Sequence, residues 1–209
     1  MAKRDDNSGF IYHWIKAVPF TRGMHEDYAS AFDVLMEIID DGCIRAGLTM
    51  EKGGHECICF TESTKRAINN DTSKYQPFGF QYSKRSIFNA GGRPAIYSPI
   101  ADKDFLHPCL HWRFMPFDLS SSSGNGGFGI DFTWEREWRL NEPKLYVQNA
   151  EAIYVPNNYY RDLLIKRTDE IINDSISSNP DDIYYRYPDP GVEDYFHDVQ
   201  SKIDVLSQY

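Results

Sequence analysis

The sequence lacks the features of a membrane-spanning, secreted or strongly basic protein. It contains no run of about eighteen apolar residues, so we expect no transmembrane helix. The opening segment MAKRDDNSGF has no apolar core, so we expect no secretory signal. Basic residues are outnumbered, with 22 Lys and Arg against 31 Asp and Glu, which gives a net charge of −9. That balance argues against a protein that holds nucleic acid by its general electrostatic field.

Cysteine is scarce as well, with four residues in a chain of 209. Without an export signal, the expected state is reduced thiols in a cytoplasmic protein. The segments HECIC (55–59) and HPCLH (107–111) place His and Cys at period two, hence on one face of a strand. Zinc ligands usually come from turns instead. We therefore interpret these cysteines as small buried hydrophobic residues and predict no metal.

Common catalytic and nucleotide-binding motifs are missing too. The chain has neither a GxSxG elbow nor a GxxxxGK[ST] phosphate loop. The segment GNGGFG (124–129) precedes a predicted strand, whereas a dinucleotide fingerprint follows a strand and opens a helix. A dinucleotide fold of that class is therefore not indicated.

What the chain does contain is typical of a folded globule, with 41% apolar and 15% aromatic residues. Strand-like and helix-like patterns intermix without an internal repeat, which predicts one α+β domain. We expect a flexible N-terminus over 1–9, a domain over 10–174, and a linker with an amphipathic terminal helix over 175–209. A Ser/Gly segment at 120–129 is a candidate lid.

Local signals place the main elements. Helical spacing predicts helices over 28–42, 157–174 and 192–208, and a further helix after Thr61 or Ser63. Strands are expected at 9–18, 55–63, 75–82, 93–100 and 151–156. Gly42 is a candidate helix terminator, while Ser83 and Asn157 or Asn158 are candidate N-caps.

The stretch DFTWEREWRL (131–140) is the most distinctive. Its aromatic alternation predicts a strand, so Thr133, Glu135, Glu137 and Arg139 should share one face. Two neighbouring carboxylates repel unless a cation lies opposite. That face is therefore either solvated or part of a site.

Five other residues are candidate companions of the glutamate pair. His13 lies in the first strand, Tyr82 and Ser83 end a strand before a helix, and GGRPAIY (91–97) supplies Arg93 and Tyr97. A helix N-terminus can hold an anionic or ribose group. Each also has an ordinary interpretation: a core histidine, a helix cap or a surface salt bridge.

The ordered set YHW, ICFTE, FGFQYSKRSIFNAGGRPAIY and WEREWR, over roughly residues 9–165, resembles the bacterial AbiGi-type abortive-infection proteins. Through them it resembles the ADP-ribosyltransferase fold, including DarT-like and RNA 2′-phosphotransferase-like members. This resemblance implies a split, mostly antiparallel β core flanked by helices that clamps NAD as a substrate. It also implies a macromolecular acceptor, either protein or nucleic acid, in the conflict between phage and bacterium.

By the same resemblance, Glu137 is the catalytic carboxylate and Glu135 engages the acceptor. His13, Tyr82, Ser83, Arg93 and Tyr97 are the NAD-binding candidates. One alternative stays open, because QNAEAIYVP (148–156) also resembles the catalytic strand of DarT-like enzymes, with Glu151 in the catalytic place. Two other hypotheses remain: a non-catalytic, antitoxin-like or inhibitor binding protein on the same fold, and a plain globular domain whose glutamates pair with nearby arginines.

Overall fold

The computed structural model describes residues 8–16, 28–48, 54–63, 75–120, 129–177 and 190–206, and it has a mixed α+β fold with antiparallel sheets. The helices are α1 (Tyr28–Asp40), α2 (Lys84–Asn89), α3 (Asn158–Ser177) and α4 (Pro190–Ser201). The strands are β1 (Phe10–Lys16), β2 (Cys43–Arg45), β3 (Gly47–Leu48), β4 (Glu56–Phe60), β5 (Tyr75–Ser83), β6 (Arg93–Pro94), β7 (Ile96–Ser98), β8 (Phe114–Pro116), β9 (Trp138–Leu140), β10 (Lys144–Tyr146), β11 (Ala152–Val155) and β12 (Ile203–Val205). Within these ranges, none of the helices is both long enough and apolar enough to cross a membrane.

The chain forms two compact units, each built from separate stretches of sequence. The first comprises residues 1–13, 43–67 and 82–145, and the second comprises 14–42, 68–81 and 146–209. Strands β1, β5 and β10 therefore contribute residues to both.

The first unit is organised around β9. Strand β4 pairs antiparallel with β9 on one side, with Cys59 opposite Arg139 and Phe60 opposite Trp138. Strand β6 pairs antiparallel with its other side, and β3 extends the sheet beyond β4. Beside them β7 and β8 form a parallel pair. This arrangement leaves β9 flanked on both edges.

The second unit is built around β11. All four β11 residues are buried, and the strand pairs antiparallel with β5 and parallel with β12. Helix α1 turns Ala31, Phe32, Leu35 and Ile39 into the core, which is the spacing of one helical face. The predicted helix over 28–42 is confirmed over Tyr28–Asp40.

The ends of three helices confirm local predictions. Gly42 follows α1 with φ +67°, the left-handed conformation that favours glycine. The Ser83 hydroxyl accepts from the Ser86 amide at 3.5 Å and begins α2. Asn157 Oδ1 accepts from the Tyr160 amide at 3.2 Å and begins α3.

The predicted strand over 131–140 is wrong in its first half. Residues Thr133–Glu135 form a 3₁₀ turn, Arg136 has φ +46°, and β9 begins only at Trp138. Asp131 explains part of the difference, because its carboxylate accepts bonds from the Thr133 amide and hydroxyl. Such local bonds favour a turn over a sheet ladder.

Two further element predictions are corrected. The terminal helix ends at Ser201, and residues 203–205 form β12, since Ile203 and Val205 suit a strand paired with β11. The segment 107–111 lies in and beside the 3₁₀ helix Pro108–Arg113, so its His and Cys residues do not share a strand face. The proline at the start of that helix cannot donate to a ladder.

Some expectations fall outside the described residues. These are the lid over most of 120–129, the helix after residue 63, most of the N-terminus, and the linker between 178 and 189.

Candidate functional site

A buried ion pair joins Glu137 and Arg139 in the first unit. Arg139 Nε donates to Glu137 Oε1 at 2.9 Å, and Nη2 donates to Oε2 at 3.4 Å. Arg139 is fully buried and Glu137 is 6% exposed. The cation that meets Glu137 is therefore Arg139 of β9, two residues further along the chain.

The rest of the Arg139 guanidinium is also satisfied. Nη1 donates to the carbonyls of Trp112 and Phe114 at 2.9 and 2.8 Å, and Nη2 donates to Met115 Sδ at 3.2 Å. Burial by itself lowers the pKa of Arg139, but the charge and hydrogen bonds of Glu137 outweigh it and raise the pKa above its ordinary value. Arg139 therefore stays charged and fixes the position of the Glu137 carboxylate.

Tyr97 and Glu135 complete what we call the acidic cluster, defined as Glu135, Glu137, Tyr97 and Arg139. The Glu137 amide donates to the Tyr97 hydroxyl at 2.9 Å. Burial raises the pKa of Tyr97 to about 12, opposed by that hydrogen bond and reinforced by the charges of Glu137 and Glu135. The phenol therefore stays protonated at neutral pH, so the Tyr97 hydroxyl can act as a hydrogen-bond donor.

The turn before β9 positions Glu135. Its carbonyl accepts from the Thr61 hydroxyl at 2.6 Å and from the Glu62 amide at 3.2 Å. The left-handed Arg136 then redirects the chain into β9. A non-glycine residue in this conformation is uncommon and is held by its surroundings. The turn is what lets Glu135 and Glu137 approach the same tyrosine.

Two cysteines occupy the same face as the ion pair. The sulfurs of Cys57 and Cys59 lie 3.8 Å apart on β4, so the expected shared face is confirmed. Both cysteines also raise the pKa of Arg139. None of the four cysteines, all of which lie in the described part of the chain, forms a disulfide. No group of three or more His, Cys, Asp or Glu in the described part of the chain is arranged to hold a metal ion.

His13 belongs to the other face of this sheet. Its ring lies 6.2 Å from that of Phe60, which in turn lies 5.8 Å from Tyr82. Because neighbouring residues of a strand point to opposite faces, Phe60 points away from the side of Cys59 and Arg139. The predicted convergence of His13 with Glu137 is therefore wrong. His13 Nδ1 instead lies 2.8 Å from the Cys59 carbonyl oxygen.

Glu62 is the carboxylate on the His13 face, and the sequence reading missed it. It accepts from Lys84 Nζ at 2.5 Å and from Trp138 Nε1 at 3.1 Å. Trp138 is buried, whereas Trp134 is 53% exposed, so only Trp138 packs into the core. The signal in the sequence is that Glu62 ends the ICFTE motif and Lys84 ends the YSK segment, both within the set of motifs that carries the resemblance.

The remaining candidates have local partners. Ser83 caps α2, as its ordinary interpretation predicts. Arg93 lies 4.0 Å over the Phe88 ring and donates to the carbonyls of Phe88 and Gly92. Glu151 is exposed in the second unit, immediately before β11. Of the eight predicted site residues, the structure joins Glu135, Glu137 and Tyr97 in one cluster, and His13 with Tyr82 in one row of rings.

Comparison with known proteins adds no relative. The chain matches no family model, no curated protein and no solved structure.

Proposed function

We propose that the chain is an NAD-dependent mono-ADP-ribosyltransferase that modifies a macromolecule in the conflict between phage and bacterium, with its site at the acidic cluster. The observation that supports this most is the contact of the Glu137 amide with the Tyr97 hydroxyl at 2.9 Å, together with a second buried carboxylate, Glu135, whose charge also acts on that phenol. The resemblance of the ordered motifs to ADP-ribosyltransferases supplies the reaction.

The chemistry suits a fixed pair of carboxylates. When the bond from ribose C1′ to the nicotinamide nitrogen breaks, its electron pair leaves with nicotinamide and the ribose gains oxocarbenium character. A carboxylate that is already held in place stabilises the positive charge where it develops. Glu137, held by Arg139 at 2.9 Å, has that fixed position. In this proposal the Tyr97 hydroxyl donates to a ribose or phosphate oxygen of NAD.

In this proposal Glu135 is the general base. An acceptor nucleophile attacks C1′ and must lose a proton, which a neighbouring carboxylate accepts. Glu135 is 8% exposed and lies near the phenol of Tyr97. His13 and Tyr82, on the opposite face, are not assigned to this site.

A transfer assay tests the proposal. The purified chain is incubated with labelled NAD and bacterial lysate, and labelled macromolecules are counted. We expect transfer by the wild type and a loss of about 100-fold or more in Glu135→Gln. Glu142→Gln, an exposed change, is the matched control and should keep full activity. Glu151→Gln should keep it as well, and its loss there would assign the catalytic role to Glu151.

Two results would overturn the proposal. Wild-type protein that neither transfers label nor consumes NAD contradicts the activity. Loss of transfer in Glu62→Gln with retention in Glu135→Gln would move the site to the His13 face. Thermal melting of each variant distinguishes lost chemistry from lost folding.

A second candidate function, a non-catalytic binding protein, is favoured by one other observation. An open groove with acidic sides lies in the second unit, between α1 and α3. Binding of a partner in this groove would not require NAD.

A further inference from the structure

The groove between α1 and α3 has an apolar floor. It encloses about 550 Å³, and Phe32 and Met36 of α1 line it together with Tyr160, Leu163 and Ile171 of α3. The ring of Tyr160 lies 5.5 Å from that of Phe32, so the first turns of the two helices are in contact. Aromatic packing of this kind makes the floor rigid before anything binds.

The sides of the groove are acidic. Asp33, Glu37 and Asp40 follow one another at i, i+4 and i+7 on α1, which places them in a single stripe about 10 Å long. Glu170 and Asp174 lie on the α3 side at i and i+4. The carboxylates therefore run along both walls.

Positive charge meets these carboxylates on the α3 side. Among the described lining residues Arg167 is the one cation; it lies 3.6 Å from Glu170, and Lys166 lies 3.8 Å from the same carboxylate. On the α1 side, none of the described lining residues is a cation. A ligand that brings positive charge would therefore find Asp33, Glu37 and Asp40 on that side.

We propose that this groove is a docking site for a basic amphipathic helix of a partner protein. Helices bind in grooves by placing an apolar face on the floor and polar residues against the rims. Lys or Arg at i, i+4 and i+7 of such a helix repeats the spacing of Asp33, Glu37 and Asp40. Charge complementarity selects the partner and steers its approach.

The same charges argue against other occupants. An isologous contact with a second copy brings the carboxylates of one groove against those of the other. A chain of net charge −9 also repels acidic partners at long range.

A binding assay with a synthetic peptide tests this inference. The probe is a fluorescent amphipathic peptide of about 18 residues made of leucine and lysine, with a glutamate-for-lysine version as its counterpart. Fluorescence anisotropy on the full chain should show binding of the lysine peptide and none of the glutamate peptide. A sequence-scrambled lysine peptide, which cannot present one apolar face, should bind at least about tenfold more weakly.

Matched charge variants locate the site. The triple variant Asp33→Asn, Glu37→Gln, Asp40→Asn should raise the Kd by about tenfold or more. The control triple Glu56→Gln, Glu142→Gln, Asp194→Asn removes the same charge at exposed positions that do not line the groove and should change the Kd by less than about threefold. Because the apolar floor also contributes to binding, Leu163→Ala should raise the Kd for the lysine peptide even in high salt.

Three outcomes contradict the inference. Equal weakening by both triples means that only the general field binds the peptide. Absence of binding means that the groove is closed, by another segment of the chain or otherwise. Self-association of the chain that the groove triple abolishes assigns the groove to a second copy.

Discussion

Arg139 and Glu137 lie two residues apart on the chain, and their charged groups meet at 2.9 Å in the interior of the first unit. A buried pair of this kind adds little net stability relative to apolar residues, but breaking it is costly. Its effect here is to hold the Glu137 carboxylate in one position. The acidic cluster depends on that contact for its geometry.

Glu137→Gln should therefore destabilise the protein. The change keeps the shape of the side chain but leaves the Arg139 charge buried without its counterion, at a cost of about 3 kcal/mol. Urea denaturation measures the free energy of unfolding. Glu142→Gln, at an exposed position of the same unit, is the control and should stay within about 0.5 kcal/mol of wild type. An unchanged urea midpoint for Glu137→Gln would contradict this prediction.

Tyr97→Phe should also cost stability, although less. It removes the oxygen that accepts from the Glu137 amide and leaves that donor without this partner, which costs about 1–3 kcal/mol. Chemical denaturation again gives the value. Tyr146→Phe, an exposed tyrosine, serves as the comparison. Equal effects of the two changes would show that the hydrogen bond contributes nothing.

Gly92→Ala should destabilise the turn after α2. A Cβ built at Gly92 lies 2.4 Å from Ile87 Cγ2 and 2.8 Å from the Ile87 carbonyl oxygen, so the backbone must shift. Overpacking of this degree costs about 1–3 kcal/mol. Thermal melting measures both variants. Gly47→Ala meets no atom within 4 Å and should leave the melting temperature almost unchanged. A neutral Gly92→Ala would mean that the turn is looser than its contacts indicate.

Asp40→Asn should stabilise the protein at neutral pH. Because the folded pKa of Asp40 is raised, the proton binds the folded state more tightly, and this stabilising contribution is present at low pH and lost as pH rises through the folded pKa. The asparagine variant removes the cost of burying a charged carboxylate and then the repulsion from Asp41, so its melting temperature should exceed wild type by about 1–2 °C at pH 7. The difference should vanish near pH 3, where the Asp40 carboxyl is protonated in the folded protein. A constant difference at the two pH values contradicts the assigned cause.

Helix ends and alternating strands were predictable because local chemistry determines them. Gly42, Ser83 and Asn157 mark helix boundaries through backbone conformation and capping bonds that involve only near neighbours. The shared face of Cys57 and Cys59 likewise follows from strand alternation alone.

The candidate site was harder to predict because it depends on one turn and on strand order. The left-handed Arg136 breaks the alternation that placed residues 131–140 on a continuous strand. Pairing of β4 with β9 then puts His13 and Glu137 on opposite faces, and no local pattern encodes that register. The same pairing brings Glu62 to Trp138, across 76 positions of sequence.

A thermal-shift titration with NAD tests the central claim, that the acidic cluster holds NAD, most directly. Binding to the native state should raise the melting temperature of the wild type with NAD concentration, by about 5–10 °C at one hundred times the Kd. Glu135→Gln should flatten that response, while Glu151→Gln should reproduce the wild-type curve. A wild-type melting temperature that does not change with NAD would contradict the assignment.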